Sequence, residues 1–261
     1  MKKFIWMLAL WTVTGCALQQ NKLVWRVKDI VLEQSAVVHL QDAKERVVLS
    51  VSTRTIQEIM LAHIRISRTA KVQSEIYLAA GDDPNAFAGP DIDGRQILGI
   101  TLGMVKLIGD DRNEYAALIG HEAAHLAKGH GDSSRLRSNT LNLIGTVVGS
   151  GLGLAGVPAG GLITGLGVDL IDSAYNRDQE READAVAVEY MVANQYDPKA
   201  AIRLHEKMLK HGSGFRLPFL SSHPSSQERI ENLKAVIEAE SGDKKSPSSS
   251  QAANEPVSKD Q

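Results

Sequence analysis

The sequence predicts an α+β domain that is mostly helical and carries a small β-sheet. Three observations predict it. Apolar residues recur at helical spacing in "VSTRTIQEIMLAHIRISRTA", residues 51–70. Two short extended runs, "SEIYLAA" and "GRQILGI", flank the turn-forming stretch "GDDPN". Two further helical segments follow, one bounded by Asp111 and Gly129 and one in "YNRDQEREADAVAVEYMVANQ".

In chain order, residues 29–47 alternate apolar and charged clusters and are expected to be helical. The helix at 51–70 lines up Ile56, Ile59, Met60, His63 and Ile64 on one face, with His63 expected to pack rather than to bind a ligand. The two extended runs come next, then a short apolar helix, "MVKLI", that breaks at Gly109. Asp111 and Glu114 have the spacing of a capping box and start the following helix, which Gly129 stops.

The two ends read differently from this middle. In "MKKFIWMLALWTVTGCALQQ", Lys2 and Lys3 precede an apolar run, Phe4 to Val13, too short to span a bilayer comfortably. Small residues then lead to Cys16, the only cysteine, and "VTGC" resembles the lipobox of bacterial lipoproteins. Residues 1–15 are therefore expected to be a cleaved leader, with Cys16 lipidated and residues 16–28 a lipid-anchored linker. The competing reading is a buried N-terminal helix. In the lipoprotein sorting pattern, Ala17 after the cysteine points to the periplasmic side of the outer membrane. Losing Lys2 and Lys3, and no acids, would take the formal charge from −2 to −4. No basic stripe appears, which argues against nucleic acid as a partner. Residues 241–261 are Ser/Pro-rich and polar, as expected of a disordered tail. The remaining 29–240 suit one domain with a sizeable core.

The stretch "HEAAH" places His121 and His125 four residues apart, about 40° from each other around a helix. Two imidazoles so placed can aim at one metal ion, with Glu122 beside them as a general base for a nearby water. This is the zinc-binding H-E-x-x-H arrangement. A third ligand is expected from another helix, and "EREAD" at 180–184 supplies it. Glu180 and Asp184 share a face, whereas Glu182 lies about 160° from Glu180 and is expected to play no part. An acid one turn after a carboxylate ligand can hold the distal N–H of a ligand imidazole. His130 is rejected as a ligand, because on a continued helix it would swing about 140° off His125.

With these residues in view, the sequence resembles the gluzincin zinc metallopeptidases of family forty-eight, the BepA, LoiP and HtpX type. The resemblance rests on HEAAH, "EREAD", "NAFA" at 85–88 and "SHPSSQERI" at 222–230, in that family's order over roughly residues 50–240. It implies a zincin-like domain whose small sheet, around Asn85, borders the active-site cleft. One zinc ion would sit on His121, His125 and Glu180. Glu122 would be the catalytic base, and Asp184 a supporting or proton-donating acid. His223 would be a fourth, inhibitory ligand, or else a helix cap beside Pro224. Asn176-Arg177 departs from the Ser-Arg common in the family, which weakens any special role for residue 176. The implied activity is hydrolysis of misfolded or misassembled envelope proteins, with outer-membrane assembly machinery as a further candidate partner. The rival reading is an anchored, non-catalytic chaperone with a structural zinc.

Between the two metal helices, residues 138–168 contain no charge, and Gly145, Gly149 and Gly153 recur every fourth residue. A compact helical hairpin over the site is the first expectation; a membrane-dipping hairpin and a flexible loop are the alternatives.

Overall fold

The computed structural model describes residues 24–42, 44–91, 94–130, 175–212, 219, 223 and 227–243. The leader, Cys16 and the glycine-rich 138–168 segment lie outside the described residues.

The chain enters through β1 (Val24–Arg26) and one turn of helix, α1 (Val27–Ile30). Trp25 and Val27 are buried in the core, so residues ahead of the expected boundary of 29 belong to the domain. Residues 29–47 do not form the single helix expected of them, since helix ends at Ile30. They lead into a β-hairpin, β2 (Val37–Gln41) and β3 (Val47–Ser52), paired antiparallel from Val37↔Ser52. In "VVHLQ" every second residue is buried, Val38 and Leu40 inward and His39 outward, a period of two that overrides the helix-forming charges beyond it. Those charges form the loop. Asp42 accepts from the backbone of Lys44 and Arg46 at 2.8 and 3.0 Å, and Glu45 turns the chain with φ of 59°.

Helix α2 (Thr53–Ala70) follows at once, capped by Ser52, whose Oγ accepts from the Thr55 N–H at 3.0 Å. Ile56, Ile59, Ala62, His63 and Ile66 are buried. Ile64, expected inside, is 45% exposed, because the face settles on the i, i+3, i+7, i+10 row ending at Ile66. Strands β4 (Ser74–Ala79), β5 (Ala86–Pro90) and β6 (Gln96–Thr101) complete a four-stranded sheet of order β1-β4-β6-β5. Within it β4 and β6 run parallel, and β5 returns antiparallel along β6 as an edge. Phe87 pairs with Gly99 across that edge, and a Cβ on Gly99 would stand 2.0 Å from the ring. Only glycine lets the ring lie there.

The helices α3 (Leu102–Ile108) and α4 (Arg112–Lys128) then form, with Gly109 ending α3 and Gly129 ending α4, as expected. The expected capping box is half made. Asp111 accepts from the N–H groups of Asn113 and Glu114, but the Glu114 side chain is buried against Lys207 Nζ at 2.8 Å instead. Helices α5 (Arg177–Ala193) and α6 (Lys199–Gly212) pack against α4, and α7 (Gln227–Asp243) packs against α5 and α6. Helix α7 thus continues to 243, past the expected start of a tail at 241. Helix α4 is central: α2, α5, α6 and β5 all lie against it. The α+β expectation, mostly helical with a small sheet, holds.

His63 is buried on α2, with Nε2 2.9 Å from Ser74 Oγ. Burial drives its pKa from 6.5 down to about 4, against a smaller upward pull from Glu75. Between those values the unfolded chain binds a proton that the folded chain does not, so stability falls as pH drops through this window. The loss from this group is on the order of 3 kcal/mol. Urea denaturation from pH 7 to 4 should therefore show a shallower decline for His63→Gln than for the wild type; parallel declines would refute it.

Candidate metal centre

The α4 helix presents His121 and His125 one turn apart, with Glu122 between them, all three buried. Helix α5 approaches closely at Gly120, where an added Cβ would meet Ala187 Cβ at 3.4 Å. That closeness brings the first turn of α5 to the two imidazoles. Asn176 begins α5 with a reciprocal capping box, accepting from Asp178 and Gln179 N–H while the Gln179 side chain accepts from its own N–H. Residue 176 thus shapes the helix start that carries Glu180.

Four ligand-type atoms converge. His125 Nε2 lies 3.0 Å from His121 Nε2 and 3.3 Å from Glu180 Oε1. His121 Nε2 is 3.5 Å from Glu180 Oε2. His223 Nδ1 is 3.0 Å from Glu180 Oε1 and 3.2 Å from His121 Nε2. All four side chains are buried and offer atoms within 4.8 Å of one another. Ligand atoms about 2.0–2.1 Å from a tetrahedral zinc are about 3.3 Å apart, so the spacing fits such an ion. The chemistry of the donor set fits as well. His121 Nδ1 faces Asp184 Oδ1 at 3.0 Å, which holds its proton there and leaves a lone pair on Nε2. Lone pairs aimed at one buried point repel unless a cation lies among them.

His223 is therefore brought among the converging ligand-type atoms. Its ring stacks on Phe219, centroids 4.6 Å apart at 20°, and its backbone N–H donates to Phe219 O at 2.7 Å. Tyr175 stacks on His125 with centroids 3.7 Å apart. Glu122 is fully buried, and neither carboxylate oxygen has a hydrogen-bond partner among the described residues; His223 Nε2 stands 3.5 Å from Oε1. Burial pushes its pKa up, with His223 and His121 pulling back incompletely.

Asp184 sits behind His121, away from the point of convergence. Two groups around it were not apparent from spacing. Arg229 of α7, in the SHPSSQERI stretch, grips Asp184 with two hydrogen bonds, Nε to Oδ2 at 2.8 Å and Nη2 to Oδ1 at 2.6 Å. Its Nη1 also pairs with Glu180. His205 Nε2 lies 3.8 Å from Asp184 Oδ1. Burial pushes the Asp184 carboxyl up, but Arg229 and the nearby His121 and His205 imidazoles outweigh it and hold it well below the usual carboxylate range. Glu180 is likewise raised by burial and lowered more by His121, His125 and His223. The same carboxylates lift His121 against its burial, whereas burial prevails at His125 and lowers it.

His130 is not among the converging ligands, as expected. It is nonetheless at the site: its Nδ1 lies 3.0 Å from His125 Nδ1, and its Nε2 lies 3.2 Å from Glu182 Oε2. Glu182, expected to play no part, thus touches the site at one remove.

Residues 50–237 match the model of Peptidase family M48. Among curated relatives, the chain is 27% identical over 169 residues to Metalloprotease LoiP of Escherichia coli K12, covering 65% of this chain and 64% of the relative. It is 29% identical over 185 residues to Mitochondrial metalloendopeptidase OMA1 of Schizosaccharomyces pombe, covering 70% of this chain and 52% of the relative. Metalloprotease YcaL of Escherichia coli K12 is 23% identical over 135 residues, 52% of either chain. The chain therefore spans less than two thirds of the length of each of these relatives.

Proposed function

The chain belongs to peptidase family M48, a family of zinc metallopeptidases, and on that premise we propose that it is a zinc-dependent endopeptidase. The observation that carries the reading is the buried convergence of His121, His125 and Glu180 beside Glu122, whose carboxylate has no hydrogen-bond partner among the described residues. The metalloprotease and metalloendopeptidase names of its relatives support it.

In this reading His121, His125 and Glu180 hold one zinc ion, which when bound lowers the pKa of water and polarises a peptide carbonyl. Glu122 takes the proton of the attacking water, a task favoured by its raised proton affinity, and passes it to the leaving amine. Of the two roles open to Asp184, the supporting one fits. Held ionised by Arg229, it keeps the proton of His121 on Nδ1 and fixes the ring. Strand β5 is the sheet edge lying against α4, so an extended substrate can add there as a further strand.

The proposed substrates are misfolded or misassembled envelope proteins, with outer-membrane assembly machinery as a candidate partner. The proposed address is the periplasmic side of the outer membrane, through lipid on Cys16. The charged and apolar run before "VTGC", and Ala17 after it, support this address. Among the described residues no helix is long and apolar enough to cross a membrane. A second reading is favoured by one observation. With His223 in place the metal position has four protein ligands, as structural zinc sites do, and an anchored chaperone would need nothing more. A buried, unpartnered Glu122 has no use in that reading.

Glu122→Gln separates the two readings. The variant should retain zinc yet lose at least about a hundredfold in hydrolysis of an unfolded protein, since an amide cannot accept the proton. Full turnover by a zinc-loaded variant would mean that Glu122 is not the base, and absent turnover in the wild type would favour the chaperone.

If His223 is an inhibitory ligand, His223→Ala should raise the basal initial rate while three ligands keep the zinc bound. An unchanged or lower rate at full zinc occupancy rules that role out.

Cys16→Ala should move the protein from the membrane fraction to the soluble fraction, because lipid on that thiol is the proposed anchor. Retention through salt and carbonate washes would defeat the lipid-anchor proposal.

A further inference from the structure

The metal position needs His125 to keep a lone pair on Nε2 and therefore to carry its proton on Nδ1. A ligand imidazole normally gives that proton to a carboxylate or a carbonyl, which fixes both tautomer and ring angle. His121 has such a partner in Asp184. His125 instead faces another imidazole, His130, Nδ1 to Nδ1 at 3.0 Å.

The approach is created by the end of α4. Gly129 adopts a left-handed conformation, φ 65°, and the His130 N–H donates to the His125 carbonyl at 3.1 Å. The chain folds back instead of continuing the spiral, so residue 130 lands behind residue 125. Continued helix geometry would have carried it away. His130 is buried, and its ring meets that of His125 nearly edge-on, centroids 5.0 Å apart at 71°.

With the His125 Nε2 lone pair kept for the metal, one arrangement of protons satisfies these contacts. His125 Nδ1–H donates to His130 Nδ1, which must be bare. The His130 proton then sits on Nε2 and donates to Glu182 Oε2 at 3.2 Å. The other oxygen of Glu182 accepts from Lys128 Nζ at 2.7 Å. A carboxylate thus acts on the second ligand through an intervening imidazole, whereas the first ligand has its carboxylate directly.

We propose that His130 is a positioning residue for the metal centre, fixing the tautomer and angle of His125, with Glu182 fixing His130 in turn. This rests on the assignment of His125 as a zinc ligand made above. Glu182 is half exposed, its side chain 47% accessible, so its share is smaller than that of buried His130. Loss of such partners typically weakens metal binding by about 10- to 100-fold.

The test is zinc affinity, read by chelator competition on the full chain, alongside denaturation of the metal-free protein. His130→Ala and the bulkier His130→Leu should each bind zinc about 10- to 100-fold more weakly. His130→Asn should recover most of that loss, since the Asn Oδ1 occupies the place of Nδ1 and accepts the same proton. Glu182→Ala, a half-exposed change that leaves the core intact, should cost about two- to tenfold, below the range for a buried partner. Wild-type affinity in His130→Ala or His130→Leu overturns the proposal, and so does an Asn variant as weak as Leu, which would make the role one of packing. Should the His130 variants fail to fold, unchanged affinity in Glu182→Ala overturns the relay. A wild type that binds no zinc instead removes the underlying metal assignment, and the proposal with it.

Discussion

Four lone pairs aimed at one buried point are stable only with a cation among them, and most of the structure around α4 follows from that constraint. Water cannot screen the cluster, because His121, His125, Glu180 and His223 are all buried. Each proton must therefore be stored on the far side of its group. The ionised Asp184 faces the far nitrogen of His121, and His130 faces that of His125. The surplus negative charge is met by Arg229, which pairs with Asp184 and Glu180 together. Removing one partner of such a buried set would leave a charge with no partner, a cost of about 3–5 kcal/mol. The set thus stands or falls as a unit.

Holding these groups within hydrogen-bond distance requires rigid supports. Small residues where α4 meets α5, the full capping box at Asn176 and the half-made cap at Asp111 fix the ends and spacing of both metal helices. The third support is α7, through Arg229, and the fourth is the position of Phe219, on which His223 stacks. Three helices and one short connection therefore meet at a single point, and the sheet enters through its β5 edge against α4.

The position of His223 divides the energetic roles. Three of the converging side chains come from helices whose caps and packing hold them, while the fourth, His223, comes from the segment between α6 and α7. Among the described residues, His223 is supported by its ring stack on Phe219 and its N–H donating to the Phe219 carbonyl. Glu122 lies beside it, its Oε1 3.5 Å from His223 Nε2 and with no hydrogen-bond partner among the described residues.

Helical spacing alone made His121, Glu122, His125 and Glu180 legible, because residues four apart share a face whatever surrounds them. The helix stops at Gly109 and Gly129 and the packing of His63 were legible for the same local reason. The hairpin at 37–52 was missed although its period of two lies in "VVHLQ", since the charged run after it suits a helix until Asp42 and cross-strand pairing turn it into a loop. Arg229, Tyr175 and the return of His130 were not apparent from any spacing. Each depends on two segments meeting, or on a chain reversal after a helix end, and side-chain periodicity carries no information about either. The sequence by itself determined which side chains could share a metal. Tertiary structure decided which groups hold their protons and balance their charge, because those contacts form only when α4, α5 and α7 pack together.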